Sequence, residues 1–144
     1  MSVKRKKVLL IVDDKRVVRS YVRAIIENNF NEYDLEIFTA PSSDIALQII
    51  EQKHGGIDLV STNFHRPGMD GYIFSYFVKL KYPQIKILIC SGSAKTKDLK
   101  AMFEGRLADA YLKKPIHEKD YIEKVQQIFE SQNIVRLSFP EKSA

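Results

Sequence analysis

Two adjacent carboxylates, Asp13 and Asp14, follow directly on the apolar run Val8-Leu9-Leu10-Ile11-Val12. Carboxylates at the end of a strand, with no positive residue inside that strand, form an oxygen-rich corner suited to a hard divalent cation such as Mg2+. Against that chemistry stands a purely local role, in which Asp14 only caps the helix that follows. Later polar groups also close apolar runs: Asn63 soon after Ile57 to Val60, Ser91 after Ile85 to Cys90, and Lys114 just beyond Ala108 to Leu112. Ser91 offers a hydroxyl that can hydrogen-bond a phosphoryl oxygen, and Lys114 offers a positive charge. A lone serine after a strand, or a lone Lys-Pro, carries little weight. The ordered set is a strong signal, with the turn Pro67-Gly68-Met69-Asp70-Gly71 following the third run.

Positioning these groups requires strands that alternate with helices, which argues for a parallel sheet covered on both faces. Val18, Tyr21, Val22, Ile25 and Ile26 repeat at helical spacing up to Asn28-Asn29. Leu35 to Thr39 reads as a short second strand, and Ser42 or Ser43 caps a helix with the stripe Ile45, Ala46, Ile49 and Ile50. Gly55-Gly56 breaks the chain before the third strand. A third helix from about Asp70 to Tyr82 carries Tyr72, Phe74, Tyr76 and Phe77, part of which belongs in the core. Leu99, Met102 and Phe103 mark a short fourth helix, and Tyr121, Ile122, Val125, Ile128 and Phe129 a clear fifth. In such a sheet, functional groups gather at the carboxyl ends of the strands, so residues far apart in sequence line one pocket.

A chain of 144 residues supports one core. The expected boundaries are a domain over residues 6–131, a basic leader over 1–5 and a tail without period over 132–144. The net charge of +5 does not amount to a nucleic-acid site. Lys4-Arg5-Lys6-Lys7 is the one dense run and reads as a solvated leader, while the other lysines interleave with acids. No apolar stretch approaches the ~18 residues of a membrane span, and no secretory h-region opens the chain, so a cytoplasmic location is the default. The one cysteine, Cys90, lies inside an apolar run and is expected to be buried.

Apolar runs ending in polar residues of this order resemble the receiver domain of two-component response regulators, over roughly Lys6 to Ser131. The resemblance implies a flavodoxin-like, doubly wound parallel sheet in the order 2-1-3-4-5. It further implies that Asp13 and Asp14 hold a metal, with the main-chain carbonyl of His65 as another ligand. Ser91 matches the hydroxyl that follows the phosphoryl group, Tyr111 the aromatic that changes rotamer with it, and Lys114 the phosphate-binding lysine. Lys114-Pro115 is a cis-peptide candidate. Asn63 stands where the family carries its phosphoacceptor aspartate.

That departure has a plain chemical meaning. A receiver aspartate attacks phosphorus as a carboxylate and holds an acyl phosphate while Mg2+ neutralises charge. Asn63 has nearly the same shape but no charge, and its amide nitrogen is a poor nucleophile. Its oxygen still ranks as a weak metal ligand, so Mg2+ binding is expected to be weakened, and Lys114 is free to turn toward Asp13 or Asp14. Deamidation of Asn63 is opposed by the bulky Phe64 behind it, and phosphorylation of Thr62 by the alternation of strand side chains. A third escape from this reading is an altered codon, with an aspartate at this position in the parent gene.

The expected function is therefore an atypical receiver, not an enzyme, that acts by protein-protein interaction outside the usual phosphoryl cycle. Its expected partners are a sensor histidine kinase, a phosphotransfer protein or an output protein, with homodimerisation possible through the fourth-helix to fifth-helix face. The alternative is a phosphorylatable receiver with a non-standard acceptor that dephosphorylates itself. A flavin-binding module of the same architecture is disfavoured, because Asp13-Asp14-Lys15-Arg16 lacks glycine and puts carboxylates where a phosphate needs donors.

Overall fold

The apolar run Val8 to Val12 extends through β1 (Arg5–Val12), whose side chains alternate between two separate cores. Val8, Leu10 and Val12 enter one core, and Leu9 and Ile11 enter the other. A strand buried on both faces must be apolar at every position rather than at alternate ones. In this computed structural model residues 3–64, 70–92 and 96–138 are described. The order of elements is β1, α1 (Arg16–Asn29), β2 (Tyr33–Ala40), α2 (Ser43–Gln52), β3 (Leu59–Asn63), α3 (Gly71–Lys81), β4 (Lys86–Ser91), α4 (Thr96–Glu104), β5 (Ala110–Lys113) and α5 (Glu118–Ser138). All strand pairs are parallel and the order is β2-β1-β3-β4-β5, as expected. On one face pack Ala46 and Ile50 of α2, Phe74 and Val78 of α3 and Met102 of α4. On the other pack Val22, Ile25 and Ile26 of α1 with Tyr121, Val125 and Phe129 of α5.

Local chemistry sets several boundaries. Ser42 caps α2 by accepting from the Ile45 N–H, and Asp70 caps α3 by accepting from the Ile73 N–H at 3.0 Å. Gly55 closes the turn after α2 at φ +74°, where a Cβ would sit 2.2 Å from the Tyr82 ring. No helix among the described residues is long and apolar enough to cross a membrane.

Some expectations hold and others change. β3 ends at Asn63, as expected, and carries Ser61 and Thr62 as buried strand residues with local partners. The Ser61 hydroxyl lies 3.9 Å from Cys90 Sγ, and Thr62 donates to the Asn63 carbonyl at 3.2 Å. Tyr21 and Ile45 are exposed rather than buried, and the Tyr21 hydroxyl donates to the Ile116 carbonyl across the α1–α5 face at 3.2 Å. The basic run is not a detached leader, since β1 begins at Arg5 and Lys7 is buried. Lys7 Nζ donates to Gln132 at 3.0 Å and stands 5.3 Å from the Phe129 ring centroid. Finally, α5 continues to Ser138, beyond the expected end of the domain at Ser131. No glycine or proline interrupts the sequence between Pro115 and Pro140.

Candidate functional site

The carboxyl ends of the strands bring together most of the residues singled out in the sequence. Asp13 leaves β1 with its N–H donating to the Ala40 carbonyl at 3.1 Å, which anchors it to the end of β2. Its side chain is buried, and both carboxylate oxygens have partners within the chain. The Lys15 N–H donates to Oδ1 at 2.9 Å, and Lys114 Nζ donates to Oδ2 at 2.9 Å. The ion pair is well shielded, with side-chain exposures of 24% for Lys114 and 4% for Asp13. Arg19, which nothing in the spacing distinguishes from its basic neighbours, donates from its guanidinium to the Asp13 carbonyl at 2.8 Å. Asp14 is exposed. It does not cap α1, because the N-cap position is Lys15 and no side chain supplies the cap.

Asn63 is the last residue of β3 and pairs in register with Cys90 of β4. It borders, with Asp13, Ser61, Thr62 and Cys90, a narrow void of about 10 Å³, at the lower limit for one water molecule. Cys90 is buried beneath this corner. Burial pushes its thiol up to about 12, partly offset by the contact with Ser61. Thr62 is buried with its hydroxyl engaged, a poor position for an alternative acceptor.

Ser91 ends β4 and is buried, and its carbonyl joins two other site residues. The Lys114 N–H and the Tyr111 hydroxyl both donate to it, each at 3.1 Å. Tyr111 is thereby turned inward, packed on the core beneath α4. A continuous set of contacts runs from Asp13 through Lys114 and the Ser91 carbonyl to Tyr111. The peptide Lys114-Pro115 is cis. His65 lies outside the described residues.

Of the residues that the resemblance assigns to a metal, Asp13, Asp14 and Asn63 are described. Among the described residues no group of three or more His, Cys, Asp and Glu is placed to hold a metal. Asp13 carries an ammonium and a backbone N–H, Asp14 is an exposed carboxylate, and Asn63 is neutral.

Fold and strand-end pocket together define a receiver-type signalling domain. The model of the response regulator receiver domain matches residues 9–126, and the chain belongs to that family. It is 25% identical over 125 residues to the heme response regulator HssR of Staphylococcus aureus (strain MRSA252), covering 87% of this chain and 52% of that protein. The chain thus spans about half the length of the curated relatives it matches. Among solved structures, it is similar to the signal receiver domain of an HD domain-containing protein from Pseudomonas fluorescens Pf-5, with 26% identity and a TM-score of 0.77 over 94% of this chain and 96% of that one. A CheY-like receiver domain protein from Methanospirillum hungatei JF-1 superposes with 26% identity and a TM-score of 0.76, over 88% and 96%.

Proposed function

We propose that this chain is an atypical receiver of two-component signalling whose pocket is held by its own cation instead of being switched by a phosphoryl group. The carrying observation is the 2.9 Å contact from Lys114 Nζ to Asp13 Oδ2, at the pocket where Asn63 replaces the acceptor carboxylate. With a neutral amide at 63, Lys114 has no acceptor carboxylate to approach, and Asp13 is its nearest buried counter-charge. Mg2+ binds weakly in this reading, because its site retains one exposed carboxylate. The inward Tyr111 supports a resting conformation maintained without phosphorylation, since a population shift needs a ligand that distinguishes the two states.

The output is docking. The face formed by α4, β5 and α5 carries a hollow lined by Lys86, Phe103, Asp109, Tyr111, Lys124 and Ile128, in direct contact with the Tyr111 end of the pocket network. A sensor histidine kinase, a phosphotransfer protein or an output protein of the cytoplasm is the partner that this face serves. The protein performs no turnover of its own. The buried, engaged Thr62 hydroxyl argues against the competing reading, in which a non-standard acceptor is phosphorylated and then hydrolysed.

Intact-mass spectrometry after incubation with acetyl phosphate and Mg2+ tests the proposal. The wild-type chain is expected to gain nothing and Asn63→Asp one phosphoryl group. Metal-dependent labelling of the wild type would refute the proposal.

A further inference from the structure

Helix α3 is apolar on its outer side as well as on the side packed against the sheet. Phe74 and Val78 face the sheet, while Tyr72, Ile73, Tyr76, Phe77 and Leu80 face away and are 42–69% exposed. A helix without a polar face is one whose outer side is also to be covered. Its charges are turned off that face. Lys79 reaches back to Asp109 at 2.8 Å and its side chain is only 10% exposed. Lys81 is tied at the rim to Glu51, also at 2.8 Å. Beside the stripe, between α2 and α3, runs a groove of about 390 Å³ walled by Leu47, Ile50, Phe77, Leu80 and Tyr82.

We propose that a second copy of this chain covers this face, with α3 packing antiparallel on α3 about a two-fold axis between Tyr76 and Phe77. An isologous contact requires one patch to be complementary to itself. The stripe meets that condition, because positions 73, 76, 77 and 80 map onto themselves when the helix is reversed about its midpoint. Ile73 then meets Leu80 of the second copy, while Tyr76 and Phe77 flank the axis, each beside its own counterpart. Reversal also opposes the two helix dipoles.

The uncharged face discriminates against acidic or basic partners and favours a surface as apolar as itself. The exposed parts of its three aromatic rings, with Ile73 and Leu80, offer on the order of 500 Å² per copy. With the groove and rim added, the contact approaches the ~800 Å² per partner of a standard interface. The face is separate from the α4–β5–α5 surface, which stays free for another protein. The inference does not depend on the reading of Asn63.

Sedimentation velocity from micromolar to near-millimolar concentration tests it. The wild-type chain is expected to form a dimer. Phe77→Glu is expected to raise the dissociation constant by about tenfold or more without altering the circular dichroism spectrum. Phe103→Glu, on the α4 side, is expected to leave the dimer intact. Cysteine cross-linking checks the register in otherwise folded protein: a mixture of Ile73→Cys and Leu80→Cys chains should link preferentially as the mixed pair. A wild type that stays monomeric, a dimer broken by Phe103→Glu but not by Phe77→Glu, or cross-linking without preference for the mixed pair would each overturn the proposal.

Discussion

Lys114 and Asp13 divide the work of a charged pocket within one chain. Asp13 is buried, so its carboxylate needs a counter-charge, and the 2.9 Å contact with Lys114 supplies it. Replacing Lys114 with Met is expected to lower stability by about 1–2 kcal/mol near neutral pH, a figure reduced for the partial exposure of the lysine. The same variant frees Oδ2 of Asp13. Added Mg2+ should then raise the melting temperature of Lys114→Met more than that of the wild type, which differential scanning fluorimetry reads directly. Cys90 makes a separate prediction. Its thiol ionises near 8.5 in an unfolded chain, whereas burial raises it to about 12 in the fold. The native state therefore holds its proton to higher pH, and the associated stability is complete below about pH 8.5 and is lost as pH rises toward 12. Urea unfolding of wild type and Cys90→Ala across that range should show a steeper alkaline loss for the wild type. The burial-raised hydroxyl of Tyr121 titrates in the same direction in both and largely cancels in the comparison.

At the scale of elements, α5 is bolted to the amino end of the sheet by Gln132. Its amide accepts from Lys7 Nζ on β1 and donates to the Asp58 carbonyl before β3, both at 3.0 Å. Gln132→Ala removes both bonds and is expected to cost about 1–2 kcal/mol in chemical denaturation, with no change in secondary structure. Gly55→Ala is expected to cost about 1–3 kcal/mol, because the new methyl meets the Tyr82 ring in a backbone conformation that disfavours a side chain. These contacts also mark what could be read beforehand. The strands and the cap at Ser42 were legible, because each rests on a local signal, an apolar run or a capping side chain, whereas the strand order came from the resemblance to receiver domains and the cap at Asp70 was not read. Lys7 looked solvated in its basic run and is buried because Phe129 and Gln132, far along the chain, fold over it. Ile45 and Ile49 had the same helical spacing as Ala46 and Ile50, but only the latter pair is fully buried, since the rotation of α2 on the sheet is settled by packing. The strand-end positions of Asn63, Ser91 and Lys114 were legible for the same reason as the strands. Arg19 and the inward Tyr111 were not, because both depend on main-chain carbonyls brought close by the fold.

For the molecule as a whole, the question is what sets its conformational population. In the proposed reading no covalent event enters at residue 63, so the balance rests on packing and on the contacts from Asp13 through Lys114 and Ser91 to Tyr111. A ligand that binds both states equally shifts nothing, however tightly it binds. Beryllofluoride with Mg2+ imitates a phosphoryl group by bonding to a carboxylate, and Asn63 offers none. Amide NMR spectra of the wild type should therefore be unchanged by this mixture. In Asn63→Asp the added carboxylate restores an anchor and competes with Asp13 for Lys114. The same mixture should then shift resonances at the carboxyl ends of the strands and outward to Ser91 and Tyr111. A response confined to Asn63→Asp would mean that the pathway from pocket to α4–β5–α5 face is intact and only its trigger is missing. A response in the wild type, at the same residues, would mean that the pocket still recognises a phosphoryl group without an acceptor carboxylate.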